Sequence, residues 1–406
     1  MKINEQTKAF IEIHRKEDVN DLALKTKKTE GLDLPFALSQ IEGWQKAVKK
    51  IPSWAVNDNI LYPPHLSMEQ CSSQLTALNK QSIMKDMEGA KDSFADLTGG
   101  FGIDCCFIGQ IFRQCHYVER QEILCNLARH NFNALELKSI EVHQDDAQDF
   151  LQQSIHFDWI YMDPARRDSH GGKMTALEDC VPNVLELKEL LLAKADYVML
   201  KLSPMLDIKQ ALTALGTSVK EVHVVSVDNE CKELLFVLHG LTNETSIKIH
   251  TINLSSNSKE PQLFTFTSDD EKLPCTYAER FKTYLYEPNA SVLKAGAFKS
   301  IARLYKLEKL HPSSHLYTSD QLEEAFPGRI FHIQGYTLFN MKSLILFLKD
   351  IRQANLTVRN FPQSVAELRK KLKLNEGGDT YLFATTLLHE EKVLIHCFLI
   401  NKSIPL

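Results

Sequence analysis

A glycine-rich segment is the first feature of the sequence whose residue types favour ligand chemistry. It runs Asp96-Leu97-Thr98-Gly99-Gly100-Phe101-Gly102, between a predicted strand and a predicted helix. Glycines at such a turn let the backbone approach a ligand, and the first N–H groups of the helix can bind one. Because ligands of open α/β sheets bind at the carboxyl ends of strands, the segment predicts a ligand-binding turn. A tight strand-to-helix connection without a ligand is the alternative.

Acidic residues follow the next two predicted strands. Glu119 ends the second strand, and Asp145 and Asp146 follow the third. A carboxylate at position 119 suits the two hydroxyls of a ribose, and one at 145 or 146 suits the edge of an adenine. Each acid taken alone also fits a helix N-cap or a solvated side chain. Together with the glycine turn, they favour a nucleoside ligand.

The fourth predicted strand ends in Asp163-Pro164-Ala165-Arg166-Arg167. An acid and a proline there would form a rigid border beside the reactive end of a cofactor. The carboxylate, or the carbonyl that follows it, can accept a hydrogen bond from an amine nucleophile, so that catalysis is mainly orientation. The two arginines can bind phosphate. A β-turn with exposed arginines is the alternative.

Other cofactors fit the sequence less well. Dinucleotide sites favour G-x-G-x-x-G, but Cys105 stands at the position of the third glycine. The turn also lacks the G-x-x-x-x-G-K-[ST] pattern of a phosphate loop. The histidines show no metal-ligand spacing, so the sequence assigns no metal.

The elements that must position these residues alternate along the chain. Strands are predicted at 94–97, 116–118, 140–143, 157–162 and 197–202, with helices between them. This alternation predicts an α/β fold with a doubly wound, Rossmann-like sheet. Two β-rich runs, 219–227 and 234–238, would close it with an antiparallel edge.

Helices are predicted before the sheet. One of them spans 68–87 with Ser67 as its N-cap. Its polar stripe suggests a lid over the cofactor pocket, with small packing residues as the alternative; the stripe comprises Gln70, Ser73, Thr76 and Lys80.

The domain prediction has four segments. Residues 1–90 form a helical region and 91–260 the sheet domain, whereas 261–325 form a linker with a small mixed region and 326–406 a small α+β unit. The polar stretch 255–276 is interpreted as the boundary after the sheet domain.

Charge is distributed unevenly over the 406 residues. The net charge of −5 comprises 0 in residues 1–90, −9 in 91–260 and +4 in 261–406. Such asymmetry fits a catalytic part joined to a part that binds a polyanion, with chance imbalance as the alternative. Nine cysteines without C-x-x-C spacing, no apolar signal core and no long apolar run lead us to expect a cytoplasmic protein without membrane contact.

In this order, the motifs DLTGGFG, Glu119, DDA and DPARR resemble class I S-adenosylmethionine-dependent methyltransferases over residues 91–240. The resemblance implies that Asp96, Gly100 and Gly102 flank the methionine part of the cofactor. It also implies that Glu119 holds the ribose and Asp146 the adenine.

Two details of the motifs are more specific. The glycine turn, with Thr98 in place of a frequent first glycine, is similar to that of trimethylguanosine synthase. Asp163 with Pro164 is similar to the D/N-P-P-Y/F motif of enzymes that methylate exocyclic amines, which implies contact with the methyl acceptor. Ala165 and Arg166 stand where those enzymes have a second proline and an aromatic residue.

Residues 326–406 resemble the THUMP-like domain of bacterial methyltransferase-family proteins, and residues 277–325 resemble the small ferredoxin-like piece that accompanies it. The motifs are FPGRIFHI, VRNFP, LRKKLKL and GGDTYLFAT. By analogy this implies RNA binding, with tRNA or rRNA as the partner. Arg359, Arg369, Lys370 and Lys371 would meet phosphates, with a solvated helix face as the alternative.

The sequence therefore predicts an S-adenosylmethionine-dependent methyltransferase that modifies a base nitrogen in RNA. One alternative is a catalytically silent protein that binds the cofactor and RNA, which the residues at 165 and 166 favour. Another is a methyltransferase with a non-RNA acceptor. An NAD-linked oxidoreductase is disfavoured by Cys105, and the oligomeric state is left open.

Overall fold

The structure is a computed structural model that describes residues 3–27, 29–166, 177–240, 246–258 and 260–400. The chain divides into two units. The first comprises Met1–Lys220 with Leu234–Asn243, and the second comprises Glu221–Glu233 with Glu244–Leu406. None of the helices in the described ranges has the length and apolarity needed to cross a membrane.

Helices fill the start of the first unit, as predicted. Asp33 caps α3 by accepting a hydrogen bond from the Phe36 N–H, and Pro35 occupies its first turn, where a missing N–H costs nothing. The helices are α1 (Glu5–His14), α2 (Val19–Lys25), α3 (Leu34–Lys50), α4 (Pro52–Ala55), α5 (His65–Gln70) and α6 (Gln74–Asp86).

The prediction of one helix over 68–87 with Ser67 as its N-cap is wrong. The chain leaves the helix at Cys71, and α6 begins after Ser73. The cause is a capping box, in which the Ser73 hydroxyl accepts from the Thr76 N–H and the Thr76 hydroxyl accepts from the Ser73 N–H. These two side chains satisfy N–H groups that a continuous helix would have bonded to its own carbonyls.

The sheet of the first unit confirms the predicted doubly wound α/β class. Its strands are β1 (Ser93–Asp96), β2 (Gln114–Glu119), β3 (Ile140–Gln144), β4 (Phe157–Met162), β7 (Ala195–Leu202) and, from Leu234 on, β9 (Glu230–His239). They lie in the order β9-β7-β4-β1-β2-β3, parallel except for β9, which pairs antiparallel with β7.

Helices connect these strands, as a parallel sheet requires. The buried faces of the strands carry large side chains, among them Phe94, Trp159 and Val198, each at most 1% exposed. The helices are α7 (Ile103–Ile108), α8 (Glu122–Ala134), α9 (Ala147–Gln153), α10 (Val184–Lys194) and α11 (Ile208–Leu215). A short antiparallel pair, β5 (Ala165–Arg166) with β6 (Cys180–Val181), follows β4.

The second unit contains a strand where the sequence suggested only a boundary. β8 (Val219–Val227) pairs parallel with β10 (Lys248–Leu254), and β10 pairs antiparallel with β11 (Gln262–Thr267). The interpretation of 255–276 as a polar boundary is therefore wrong for β11. Phe264 and Phe266 are buried and alternate with exposed neighbours, which is the period of a strand with one covered face.

The remainder of the second unit is a mixed sheet in the order β13-β14-β12-β15-β18-β17-β16. One apolar cluster is built around Leu285, Phe331 and Phe383, and a second around Leu344 and Leu368. The strands are β12 (Tyr284–Pro288), β13 (Glu308–Lys309), β14 (Tyr317–Ser319), β15 (Gly328–Leu338), β16 (Asn355–Arg359), β17 (Thr380–Thr386) and β18 (Lys392–Leu399). The helices are α12 (Ala290–Ala295), α13 (Ser300–Leu304), α14 (Met341–Phe347) and α15 (Val365–Leu372).

Candidate cofactor and acceptor site

The glycine turn connects β1 to α7 at the carboxyl end of the sheet. Its backbone is held from two sides, because the Leu97 N–H donates to the Tyr161 carbonyl of β4 and the Gly99 N–H donates to the Val118 carbonyl of β2. A Cβ on Gly99 would lie 2.2 Å from the ring of Tyr117, so this position accepts only glycine. Gly102 has φ +87°, in the left-handed region that favours glycine.

Carboxylates converge on this turn. Asp96 is 1% exposed and accepts a hydrogen bond from the Thr98 N–H at 3.0 Å. Burial raises the pKa of Asp96 well above its usual range, the Thr98 N–H acts in the opposite direction, and the charges of Asp104, Asp163 and Glu119 raise it further. The ends of β1, β2 and β4 thus form one acidic edge, as the sequence predicted.

Glu119 lies at the end of β2 and is 9% exposed. Its Oε2 accepts from the Gly100 N–H at 3.1 Å and its Oε1 from the Gln121 N–H at 2.9 Å. A carboxylate oxygen has two acceptor positions, so each oxygen retains one for a ligand. The carboxylate is held in place by backbone groups and can still accept two hydroxyl hydrogen bonds.

The two acids after β3 have local partners. The Asp146 carboxylate accepts from the Gln148 N–H at 2.9 Å and caps α9, and the Asp145 carboxylate accepts from the Asp146 N–H at 2.8 Å. The Asp145 N–H donates to the Glu119 carbonyl. These contacts fix both residues beside the end of β2. The bond from the Gln148 N–H to Asp146 is the helix cap that the alternative interpretation described.

Asp163 follows β4 and is tied to the glycine turn. Its N–H donates to Thr98 Oγ1 at 2.6 Å, and its Oδ2 lies 2.5 Å from Lys201 Nζ. Lys201 comes from β7 and was not singled out from the sequence. The available signal was a lysine directly after the apolar run 197–200, near the carboxyl end of the strand. Pro164 is buried and Ala165 is exposed.

The two arginines predicted to bind phosphate lie where the described residues end. Arg166 belongs to β5, which pairs with β6, and its side chain is outside the described set. Arg167 lies outside the described residues. Their phosphate contacts stay a prediction.

A buried polar network lies behind the turn. Asp104, in the first turn of α7, pairs with Lys80 Nζ at 3.1 Å. Its Oδ2 accepts from the hydroxyl of Ser72 at 2.7 Å and from that of Tyr161 at 2.8 Å. Burial alone would raise the pKa of Asp104, but the Lys80 and Lys201 ammonium groups and the two hydroxyls hold it below its usual range.

This network explains the polar stripe of the N-terminal region. Thr76 and Lys80 lie on α6 and are buried, whereas Gln70 is exposed at the end of α5 and Ser73 caps α6. The four residues do not share one continuous helix, which removes the geometric basis of the lid hypothesis. Lys80 instead neutralises Asp104 one turn from the glycines.

The polar side chains at this edge of the sheet fit the cofactor that the motifs imply. The residues at the edge are mainly carboxylates, which suit ribose hydroxyls and the positive charges of S-adenosylmethionine. An acid at the end of the second strand also suits the ribose of a dinucleotide, so Glu119 does not separate the two cofactors. The Cys105 side chain is fully buried in α7, where a dinucleotide motif has glycine. The sulfonium cofactor therefore fits this edge better than a dinucleotide does.

The predicted phosphate-binding residues of the second unit differ in their contacts. Arg359 donates to Glu287 Oε1 at 3.0 Å, and Arg369 donates to the Ala354 carbonyl. Lys370 and Lys371 are exposed in the last turn of α15. The two arginines therefore have structural partners. Lys371, although exposed, has its ammonium group over the Phe339 ring, 4.9 Å from the ring centre, whereas Lys370 is exposed to solvent. Cations in a last turn also stabilise the helix.

Comparisons with known proteins agree with this architecture. A family model described as a ferredoxin-like domain matches residues 284–327, and one described as THUMP domain-like matches 328–398. A candidate methyltransferase from Porphyromonas gingivalis W83 has a crystal structure that matches with a TM-score of 0.85 and 33% identity, over 99% of this chain and 100% of that chain. A search of curated proteins gives no match.

Other solved structures match part of the chain. One is a candidate RNA methyltransferase from Pyrococcus horikoshii, with 12% identity, a TM-score of 0.34 and coverage of 47% of this chain and 97% of that chain. Another is a candidate methyltransferase from Streptococcus mutans in complex with SAH, with 13% identity, a TM-score of 0.32 and coverage of 42% and 99%. Scores this low carry no argument about activity. The full-length match does, and with it the chain belongs to the family of class I S-adenosylmethionine-dependent methyltransferases that have a C-terminal THUMP-like domain.

Proposed function

We propose that this enzyme transfers the methyl group of S-adenosylmethionine to a base nitrogen of tRNA or rRNA. The observation that carries the proposal is the convergence of Asp96, Glu119 and Asp163 on one glycine turn. When bound, the cofactor would supply an electrophilic methyl group. The remaining work belongs to the side chains at this edge.

The cofactor would be held by the first two carboxylates. Glu119 has two oxygens already fixed by backbone N–H groups, each with one acceptor position left for a ribose hydroxyl. Gly100 has φ +54°, and no atom lies closer than 3.7 Å to the place of a Cβ, so the backbone is open to a ligand there. Asp96, whose charge is costly in this buried position, would gain from a positively charged partner.

The acceptor would be positioned by Asp163. Its Oδ2 is engaged by Lys201, and within the described residues Oδ1 is left to accept a hydrogen bond from the attacking amine. Lys201 is then a positioning residue that fixes the carboxylate, and the hydrogen bond to Thr98 fixes its backbone to the cofactor turn. Holding the nitrogen in line with the methyl group supplies most of the rate, with proton loss as a later step.

The RNA part of the proposal rests on the second unit. It contains the THUMP-like segment, and Lys370 and Lys371 are exposed on α15. Exposed lysines on one helical turn bind phosphates without base preference, so they would contribute affinity rather than sequence specificity.

Binding measured by calorimetry tests whether this edge holds the cofactor. We expect S-adenosylmethionine and its demethylated product to bind the wild type and Asp92→Asn, and Asp96→Asn to bind at least about tenfold more weakly, which is 1.4 kcal/mol. Asp92 is the matched control, because it is an exposed acid just before the opposite end of β1, paired with Arg113. Equal binding by Asp96→Asn and the wild type would remove the cofactor assignment.

Transfer of a labelled methyl group to fractionated cellular RNA, followed by mass analysis of nucleosides, tests the acceptor. We expect label in one RNA fraction on a base nitrogen, lost in Asp163→Ala and retained in Asp92→Asn. Label in a protein or small-molecule fraction would replace RNA by another acceptor, which was the alternative that the sequence left open.

A second candidate is a protein that binds the cofactor and RNA without chemistry. The ion pair between Lys201 and Asp163 favours it, because the ammonium group already occupies one oxygen of the predicted acceptor residue. Ala165 is exposed where related motifs have proline. Lys201→Met distinguishes the two: a loss of methyl transfer with unchanged cofactor affinity supports the enzyme, and no transfer by the wild type supports the silent protein.

A further inference from the structure

A glutamate and two histidines of the second unit lie together on neighbouring strands. Glu221 and His223 are two residues apart on β8 and therefore point to the same face of the sheet. His250 is the direct register partner of His223 on the parallel strand β10. Residues that are 27 positions apart in the chain are thus brought side by side by strand pairing, which is why their sequence spacing gave no metal signal.

The distances suit a small ion. Glu221 Oε1 lies 2.7 Å from His223 Nε2, and Glu221 Oε2 lies 3.7 Å from His250 Nε2. One ligand atom from each residue falls within 4.8 Å of the others. In a tetrahedral zinc site with bonds of about 2.0–2.2 Å, ligand atoms are roughly 3.3–3.6 Å apart, so small side-chain rotations would complete the geometry.

Hydrogen bonding within the described residues leaves the histidines incompletely satisfied. His250 Nε2 and His223 Nδ1 are buried and have no hydrogen-bond partner. His250 Nδ1 lies 3.0 Å from Thr265 Oγ1 on β11. When Nδ1 donates to that hydroxyl, Nε2 keeps its lone pair and directs it toward Glu221, which is how an outer partner orients a metal-binding histidine.

The packing of the rings also favours metal binding. His223 is buried beside Glu221, and neutral imidazole is the form that ligates metals. The rings of His223 and His250 stack at 4.6 Å, which disfavours two imidazolium charges.

We propose that Glu221, His223 and His250 form a metal site that binds one Zn²⁺ ion. Two imidazoles and one carboxylate are a known ligand set of catalytic zinc, and three protein ligands leave a fourth position for water or another small ligand. The ion would join β8 to β10, with Thr265 on β11 as the outer partner. This proposal is independent of the methyltransferase site.

A similar grouping elsewhere serves as a control. His116, Glu141 and His143 lie on β2 and β3 of the first unit. There the two rings bond to each other at 3.0 Å, and the Glu141 side chain is 69% exposed and at least 3.8 Å from either ring nitrogen. These histidines already satisfy each other, so we assign no metal to them.

Zinc titration of the chelator-stripped, full-length protein, in competition with a chromophoric chelator, tests the proposal. We expect one equivalent of Zn²⁺ to bind the wild type and His143→Ala alike. In His250→Ala the affinity should fall by more than the roughly 10–100-fold that loss of an outer partner costs. Thr265→Val should fall within that range, which separates ligation from a structural effect.

Co²⁺ substitution gives a second readout, since a tetrahedral site with nitrogen ligands has intense visible absorption bands that should vanish in Glu221→Gln. Circular dichroism of each metal-free variant checks folding, and His250→Gln replaces His250→Ala if the latter does not fold. The proposal is overturned if the wild type binds no Zn²⁺ in competition, if His250→Ala binds as tightly as the wild type, or if only His143→Ala loses the ion.

Discussion

Replacement of Lys80 by methionine tests how strongly the N-terminal helices are coupled to the glycine turn. The Lys80 side chain is fully buried, that of Asp104 is 9% exposed, and their charged atoms are 3.1 Å apart. Methionine keeps most of the volume but removes the cation. Removing one partner of a buried ion pair costs about 3–5 kcal/mol, because the other charge stays in a medium that solvates it poorly.

The contacts of Asp104 narrow the range of this expected loss of stability. Ser72 and Tyr161 still donate to Asp104 in the variant, so we expect the lower end, about 3 kcal/mol. For a unit of this size that corresponds to a fall of roughly 6–12 °C in the melting temperature. Lys25→Met is the matched control, since Lys25 and Asp21 form an exposed helical pair with an expected contribution of about 0.3–0.5 kcal/mol.

Tryptophan fluorescence during denaturant unfolding is the assay. The protein's three tryptophans, Trp44, Trp54 and Trp159, all belong to the first unit, so the signal reports the unit that contains the substitution. A loss below about 1 kcal/mol, or one equal to that of the exposed control, would refute the reasoning that Lys80 compensates a buried charge.

The pH dependence of the free energy of unfolding provides an independent test of whether Lys80 stabilises the charged form of Asp104. The folded protein holds the pKa of Asp104 below its usual value, so its contribution is present above the unfolded pKa of about 3.9 and is lost as the pH falls through the folded pKa. In Lys80→Met the buried carboxyl takes up its proton at higher pH. The stability difference between wild type and variant should therefore shrink between pH 7 and pH 4, and a constant difference would contradict the assignment.

Three further substitutions test separate parts of the molecule. Gly99→Ala should abolish cofactor binding in calorimetry, because the added methyl group would overlap the Tyr117 ring and displace the turn; unchanged affinity would contradict this. Lys370→Glu combined with Lys371→Glu should weaken RNA binding and reduce the slope of log affinity against log salt by about 2, measured by filter binding; an unchanged slope would exclude phosphate contacts. Glu287→Gln should destabilise the second unit by about 1.5–3 kcal/mol in denaturation followed by circular dichroism, because its carboxylate is 2% exposed and holds two arginines; a smaller loss would make the cluster incidental.

Local patterns made much of the sheet predictable. The strand Phe157–Met162 was predicted to the residue. The same pattern of apolar runs separated by helices predicted a parallel sheet, although not the order of its strands. The spacing of the motifs also predicted that Glu119 and Asp163 lie at the same edge of the sheet, because the carboxyl ends of parallel strands meet there. Both predictions follow from the spacing of apolar residues and from the helices between the strands, which can be seen in a single sequence.

Contacts between distant segments were not predictable in the same way. Lys80 and Asp104 are 24 positions apart, and their pairing follows from how α6 packs beside α7. Lys201 meets Asp163 only because β7 lies next to β4. The break at Ser73 was also missed, because a capping box inside a polar stretch looks like ordinary helix surface until the chain is seen to turn.

The contact between Lys80 and Asp104 has a practical consequence for dividing the chain. Residue 91 is the obvious place to begin a shortened protein, because the first strand follows directly. A fragment that starts there would lose Lys80, which neutralises Asp104, and Ser72, which donates a hydrogen bond to it. It would also uncover Phe101 of the glycine turn, which packs against Trp54. The sheet of this protein therefore depends on contacts with the N-terminal helices. Shortened or chimeric proteins should keep the six preceding helices that the structure describes.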